Sequence, residues 1–161
     1  MFKTEVENVN IGLSEQVRRE IADNLFKLLS DTFVLYVKAL NYHWNVVGMN
    51  FTVLHEFFQK IYEELNNEID DIAERIRALG VKVPATLKNF LSESKIEETN
   101  EFLSDKEMIR SLLDGYEKII NDLRGYMALA SQNKDESTAS LLSDLIKRKE
   151  KVAWMLRALL E

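Results

Sequence analysis

Two histidines and two carboxylates have types and spacing that suit a metal ion. His43 and His55 are the only histidines in 161 residues, and they stand on either side of Gly48. Asp70 and Glu74 are four positions apart, so they share one face if that segment is helical. Mixed imidazole and carboxylate ligands suit iron, and they also accept zinc or manganese. The sequence therefore predicts a metal site built from these four side chains.

Each half of this set also has an ordinary structural explanation. A single histidine in an apolar stripe is usually a residue of the core or of an interface. Two acidic residues at this spacing usually belong to a solvated face, which here also carries Glu68 and Asp71 and is partly offset by Arg75 and Arg77. The alternative is that a bound cation relieves the repulsion between like charges.

Helical periodicity predicts the elements that position these side chains. Apolar residues recur every three or four positions in four stretches. Ser14 is a typical N-cap for the first of them, and Gly80 is a typical end for the second. Between 81 and 104, Pro84 breaks the pattern, and residues 86–91 can form one short helix. The predicted long helices span residues 15–45, 51–79, 105–131 and 136–160. This is an all-α, ferritin-like four-helix bundle with one long crossover that carries a short helix.

Composition restricts the class of protein. Apolar residues make up 46% of the chain, and one proline and five glycines leave room for long helices. The absence of cysteine excludes disulfides, thiolate zinc sites and cysteine nucleophiles. No run is long and apolar enough to span a membrane, and the start has no apolar signal core. We expect one cytoplasmic domain over 1–161, with a short N-terminal tail at 1–13.

The four ligands cannot reach one ion within a single chain. His55 and Asp70 are fifteen residues apart on the second helix, roughly 22 Å at ~1.5 Å per residue. Metal–ligand bonds are only about 2 Å long. Two copies packed antiparallel about a two-fold axis near Glu63 and Glu64 would bring His55 of one to Asp70 of the other, and would create two identical sites. Two carboxylates with neutral imidazoles balance one divalent ion. We therefore expect a homo-oligomer.

A recognisable signature runs through residues 43–80. Its parts are H-W-N-V-V-G at 43–48, F at 51, L-H-E at 54–56, D at 70, A-E-R-I at 73–76 and L-G at 79–80. This signature resembles that of the Dps-type mini-ferritins, the DNA-binding proteins from starved cells. The predicted helix layout agrees with that family over nearly the whole chain.

The resemblance implies a site and an activity. It implies a hollow shell of twelve subunits, with His43 and His55 from one subunit facing Asp70 and Glu74 of another at each two-fold interface. It also implies iron(II) oxidation, preferably by hydrogen peroxide, and storage of the ferric product, which protects against oxidative stress. In this scheme Glu74 bridges or anchors the iron and Asp70 fixes its geometry. Trp44 would intercept radicals beside the site, or simply pack at the helix end.

Some positions depart from the family or extend the site. Gln59 stands where the family usually has an acidic residue, which puts a second iron per site in question. Conventional ferritins place a glutamate-x-x-histidine pair inside one bundle, and this chain cannot, since no histidine follows His55. Glu136 and Asp144 match the region that lines the three-fold pores of the family. Acidic residues also favour a helix start because of the helix dipole.

Direct DNA binding is the alternative function, as a nucleoid-associated protein that shields DNA. The net charge of −6 opposes it, and a shell multiplies that charge. The first thirteen residues contain one lysine, Lys3, against Glu5 and Glu7. A basic run at 147–151 is predicted to be a solvated, salt-bridged face or, alternatively, a phosphate patch. We expect DNA binding to be weak.

Overall fold

The structure, a computed structural model, describes residues 4–161. Residues 1–3 of the predicted N-terminal tail, with Lys3, lie outside the described residues. Five helices make up this described part of the chain, and the predicted all-α architecture is confirmed. Each helix begins and ends within two residues of its predicted bounds. They are α1 (Glu15–Asn45), α2 (Phe51–Ala78), α3 (Leu87–Glu93), α4 (Asp105–Gln132) and α5 (Glu136–Ala158).

Side-chain caps set where the helices begin. Ser14 accepts a hydrogen bond from the backbone of α1. Ser104 and Glu107 form a capping box at the start of α4, and Asp135 caps α5. These caps satisfy amide groups that have no partner inside the helix. Each cap joins a side chain to a backbone amide three residues later, so neighbouring residues determine where these helices begin.

The four long helices pack in pairs. The α1 and α2 helices form one antiparallel hairpin, α4 and α5 form the other, and α1 joins the two pairs by contacting α4. A continuous apolar core fills the bundle. Its fully buried members include Leu25, Leu35, Phe58, Leu65, Ile72, Leu112, Ile119, Leu123, Leu145 and Leu156. Within residues 4–161, no helix is both long and apolar enough to cross a bilayer.

A glycine and a buried arginine fix the end of α2. Gly80 has φ +77, and a Cβ there would lie 2.8 Å from Nη1 of Arg18 and 2.9 Å from Cγ2 of Val9. The Arg18 guanidinium donates to the carbonyls of Leu79, at 2.8 Å, and Glu7, at 3.2 Å. These contacts therefore fix the direction of the chain after α2 and hold the Gly80 turn against the N-terminal segment.

The crossover between α2 and α4 is tied to α1. The carboxylate of Asp31 accepts hydrogen bonds from Oγ of Ser94, at 2.9 Å, and from the amide of Lys95, at 2.6 Å. On α3, the Phe90 ring stacks on Phe33 of α1 with centroids 4.7 Å apart. Burial raises the pKa of Asp31. These contacts hold the long connection along the bundle.

An ion pair is buried in the bundle core. Nζ of Lys149 on α5 lies 2.5 Å from a carboxylate oxygen of Glu68 on α2, and both side chains are 1% exposed. The ammonium also lies 5.3 Å from the ring centroid of Tyr116 on α4. Lys149 therefore departs from the solvated face predicted for 147–151, because Glu68 draws it inward from across the bundle.

Candidate metal centre

The two histidines meet at the α1–α2 turn. His43 lies near the end of α1 and is buried, and His55 lies in the first turns of α2 and is partly exposed. Their rings stack with centroids 3.8 Å apart and planes 17° apart. The tight turn between the helices therefore brings both imidazoles to one end of the hairpin, as the sequence predicts.

Reciprocal hydrogen bonds fix the tautomer of both rings. Nδ1 of His43 lies 2.7 Å from the His55 carbonyl, and Nδ1 of His55 lies 2.8 Å from the His43 carbonyl. A carbonyl oxygen only accepts, so each Nδ1 carries the proton. In this tautomer the lone pair of each ring lies on Nε2, and neither Nε2 has a hydrogen-bond partner in the described part of the chain. Backbone support of this kind orients histidines for metal binding.

The two carboxylates are free on the surface of α2. Asp70 and Glu74 are exposed, and within residues 4–161 neither takes part in a hydrogen bond or an ion pair. The arginines that the sequence offers as partners are engaged elsewhere. Arg75 binds Asp135 at 2.9 Å, and Arg77 binds Glu7 at 2.7 Å. The expectation that these arginines offset the acidic face is therefore wrong, because tertiary contacts draw them away.

One chain does not assemble the ligand set. Among residues 4–161, no group of three or more histidine, aspartate or glutamate side chains is placed to hold a metal ion. His55 and Asp70 lie on one continuous helix, α2, roughly 22 Å apart along its axis at ~1.5 Å per residue. The structure thus brings His43 and His55 together and leaves Asp70 and Glu74 apart from them.

The remaining predicted residues lie in different surroundings. Gln59 donates to the carboxylate of Glu63 at 2.8 Å, one turn along α2. Trp44 is 68% exposed, and no ring contact in the described chain joins it to a histidine. Glu136 and Asp144 are exposed on α5, at its start and two turns later.

Two aromatic rings flank the histidine pair: Phe51, which belongs to the sequence signature, and Tyr62, which sequence reasoning missed. The Phe51 ring stacks on His55 at 5.1 Å, and the Tyr62 ring lies edge-on to His43 at 5.1 Å and 75°. Tyr62 is seven residues after His55, two helical turns on, so it shares that face of α2. This spacing is the signal that could have placed it near the site.

An apolar patch surrounds the turn that carries the histidines. Its members are large, exposed and close together along the chain, which is unusual for a free surface. They are Trp44, Val47, Met49, Phe51 and Val53.

Comparison with known proteins places the chain in a family. The family model described as ferritin-like domain matches residues 22–161. The DNA protection during starvation protein 2 of Bacillus anthracis is 38% identical over 144 residues, which are 89% of this chain and 99% of the relative.

Solved structures agree with this assignment. The Dps protein of Vibrio cholerae O1, described as a member of a broad superfamily of ferritin-like diiron-carboxylate proteins, has a TM-score of 0.92 and 32% identity, covering 98% of this chain and 99% of that one. The Dps protein of Bacillus brevis has a TM-score of 0.89 and 36% identity, covering 92% and 100%. The chain therefore belongs to the ferritin-like family and, within it, to the Dps-type mini-ferritins.

Proposed function

We propose that this chain forms a dodecameric, cytoplasmic shell that oxidises iron(II), preferably with hydrogen peroxide, and stores the ferric product inside. The observation that carries the proposal is the histidine pair. His43 and His55 present two Nε2 lone pairs, while the exposed carboxylates of Asp70 and Glu74 have no hydrogen-bond or ion-pair partner among residues 4–161. Membership of the ferritin-like family supports iron as the metal, and the V. cholerae relative is described as a diiron-carboxylate protein.

A second copy of the chain would complete the site. Antiparallel packing of two α2 helices about an axis near Glu63 and Glu64 would carry the carboxylates of one copy to the histidines of the other. The apolar patch at the α1–α2 turn supports this arrangement, since a partner subunit would remove it from water. Each two-fold pair would then hold two equivalent sites.

The ligand set suits the oxidation of iron. Two neutral imidazoles and two carboxylates balance the charge of iron(II). Four ligands leave coordination positions open for the oxidant. The anionic oxygens of Asp70 and Glu74 stabilise the more highly charged product better than the substrate, so they favour loss of an electron. Zinc or manganese would compete for the same donors.

A kinetic assay with a matched control tests the site. Iron(II) and hydrogen peroxide are mixed anaerobically with the protein, and ferric absorbance is followed. The double variant His43→Ala/Asp70→Ala should lose rapid oxidation and still assemble. The control Asp71→Ala changes an exposed carboxylate one residue away and should keep the parent rate. Unchanged kinetics in the double variant would refute the assignment.

DNA protection is a second candidate function. Its support is the name of relatives such as the DNA protection during starvation protein 2 of B. anthracis. The net charge of −6 opposes direct binding to phosphates. A gel shift at physiological salt separates the two functions, because tight binding would favour a nucleoid role and its absence would leave protection to iron chemistry.

A further inference from the structure

The N-terminal segment holds an arginine on the face of α2 that carries the free carboxylates. Arg77 is three residues after Glu74 and seven after Asp70, so the three side chains share one face of α2. Residues three apart on a helix can form an ion pair. Arg77 instead donates from Nη2 to the carboxylate of Glu7, at 2.7 Å. A carboxylate from outside the helix therefore binds the arginine that could otherwise pair with Glu74.

The position of Glu7 does not depend on this ion pair alone. Its amide donates to the carbonyl of Gly80 at 2.7 Å, and its carbonyl accepts from the buried Arg18 at 3.2 Å. The pKa of the Glu7 carboxyl is lowered, mainly by the hydrogen bond from Arg77, so the group is charged at neutral pH. The turn after α2 thus presents a fixed anion to Arg77.

An arginine paired with the carboxylates would oppose the binding of a metal ion. A guanidinium occupies the oxygen lone pairs of a carboxylate through charge-assisted hydrogen bonds. Its charge also repels a cation that approaches the same oxygens. We propose that Glu7 is a positioning residue that holds and neutralises Arg77, and so leaves Asp70 and Glu74 free to bind metal. The inference rests on the proposed metal site.

The second arginine beside Glu74 is bound in a similar way, but it offers no clean test. Arg75 lies 2.9 Å from the carboxylate of Asp135. Asp135 is buried and caps α5, so its replacement would disturb the fold. Glu7 is half-buried, belongs to no helix and caps none. Substitution of Glu7 therefore tests the idea with the least structural damage.

The test is a titration of the assembled protein with cobalt(II), which takes the same kinds of donor as iron(II). Its visible absorption bands report binding without any oxidation step. Glu7→Ala should raise the Kd for cobalt(II) several-fold. Glu7→Gln should shift the Kd in the same direction, because an amide does not neutralise the guanidinium. In an Arg77→Gln background, Glu7→Ala should leave the Kd unchanged, since no guanidinium remains to be held.

A matched control separates this role from a structural one. Glu5 and Lys82 form a neighbouring ion pair, 2.6 Å long, that ties the same segment without an arginine of α2. Glu5→Ala should bind cobalt(II) as the parent does. An equal loss of affinity in Glu5→Ala and Glu7→Ala would overturn the role of Glu7, because loosening of the segment would explain both.

The remaining outcomes distinguish this inference from the proposed site. A loss of affinity that persists in the Arg77→Gln background would overturn the inference, because Glu7 would then act without the arginine. Cobalt(II) binding that requires Asp70 and Glu74 but ignores Glu7 would also overturn only the inference. A parent that binds no cobalt(II), or binding that survives in Asp70→Ala/Glu74→Ala, would overturn the proposed site itself.

Discussion

His43 and His55 hold each other in place, since each Nδ1 donates to the backbone carbonyl of the other residue. The two residues lie on different helices, so the exchange also joins the end of α1 to the start of α2. Because both Nδ1 atoms are engaged, any metal must bind through Nε2. The pair is therefore a preformed half of the proposed site, whose other half, Asp70 and Glu74, would come from a partner subunit.

Mixed shells should reveal that the two halves come from different subunits. A variant lacking both histidines (His43→Ala/His55→Ala) and one lacking both carboxylates (Asp70→Ala/Glu74→Ala) should each be inactive alone. Random co-assembly makes half of the two-fold pairs mixed, and each mixed pair has one intact site. Ferric absorbance should then return to about a quarter of the parent rate.

Two comparisons make the mixing experiment decisive. Shells of each variant prepared separately and combined without reassembly should stay inactive. If co-assembled shells also stayed inactive, the ligands would not come from two subunits. High activity in either variant alone would show that its missing residues are not ligands.

Gln59 offers a test of iron stoichiometry. Its side chain donates to Glu63 at 2.8 Å. Gln59→Glu would add a third carboxylate beside His55, one turn away, and should raise the number of irons bound per site, measured by anaerobic titration. The like charges of residues 59 and 63 would cost about 0.2–0.5 kcal/mol of stability. Gln16→Glu, on an exposed turn of α1, is the matched control, and equal stoichiometry in all three proteins would contradict the prediction.

Local signals explain what the sequence could predict. Ser14 and Ser104 mark helix starts, and Gly80 marks a helix end, because capping and positive φ depend on neighbouring residues only. The histidine pair follows from two such helices joined by a tight turn. These features define the four-helix bundle and half of the candidate site.

Long-range contacts explain what the sequence could not predict. Lys149 stands in a basic run that looks solvated, but its partner Glu68 is 81 residues away. Arg75 stands next to Glu74 in the sequence, but in the structure it binds Asp135, 60 residues away. Such pairings depend on how helices pack, and charge pattern alone carries no signal for them.

Breaking the buried ion pair should destabilise the bundle strongly. Lys149→Met leaves the Glu68 carboxylate buried without a partner, which should cost about 3–5 kcal/mol of unfolding free energy. Replacing both residues, Lys149→Met with Glu68→Met, should recover most of that loss, since no unpaired charge remains. Chemical denaturation measures both. Lys147→Met, on the exposed part of the run, should leave the free energy of unfolding almost unchanged. Equal losses of stability in the single and double variants would contradict this account.

Two glycines should respond in opposite ways to alanine. Gly80 has positive φ, and a Cβ there would lie less than 3.0 Å from side-chain atoms of Arg18 and Val9. Gly80→Ala should therefore lower the free energy of unfolding by about 1–3 kcal/mol. Gly125 lies inside α4 with nothing within 4 Å of its added Cβ. Gly125→Ala should therefore stabilise the protein by about 0.5–1 kcal/mol. Urea midpoints measure both changes, and a stable Gly80→Ala protein would show that the turn can relax.

Asp31 should make stability depend on pH in an identifiable direction. Burial is the main cause of its raised pKa, so the folded state favours the protonated form. Its contribution to stability is complete below the unfolded pKa, near 3.8, and is lost as pH rises through the higher folded pKa. Asp31→Asn keeps an oxygen that can accept from Ser94 and Lys95 and removes the buried charge. The variant should therefore be more stable than the parent at neutral pH, and its advantage should shrink on acidification.

Urea midpoints across this pH range, with Asp71→Asn as the exposed control, measure the difference in stability. A pH-independent advantage would show that the charge of Asp31 is not its source.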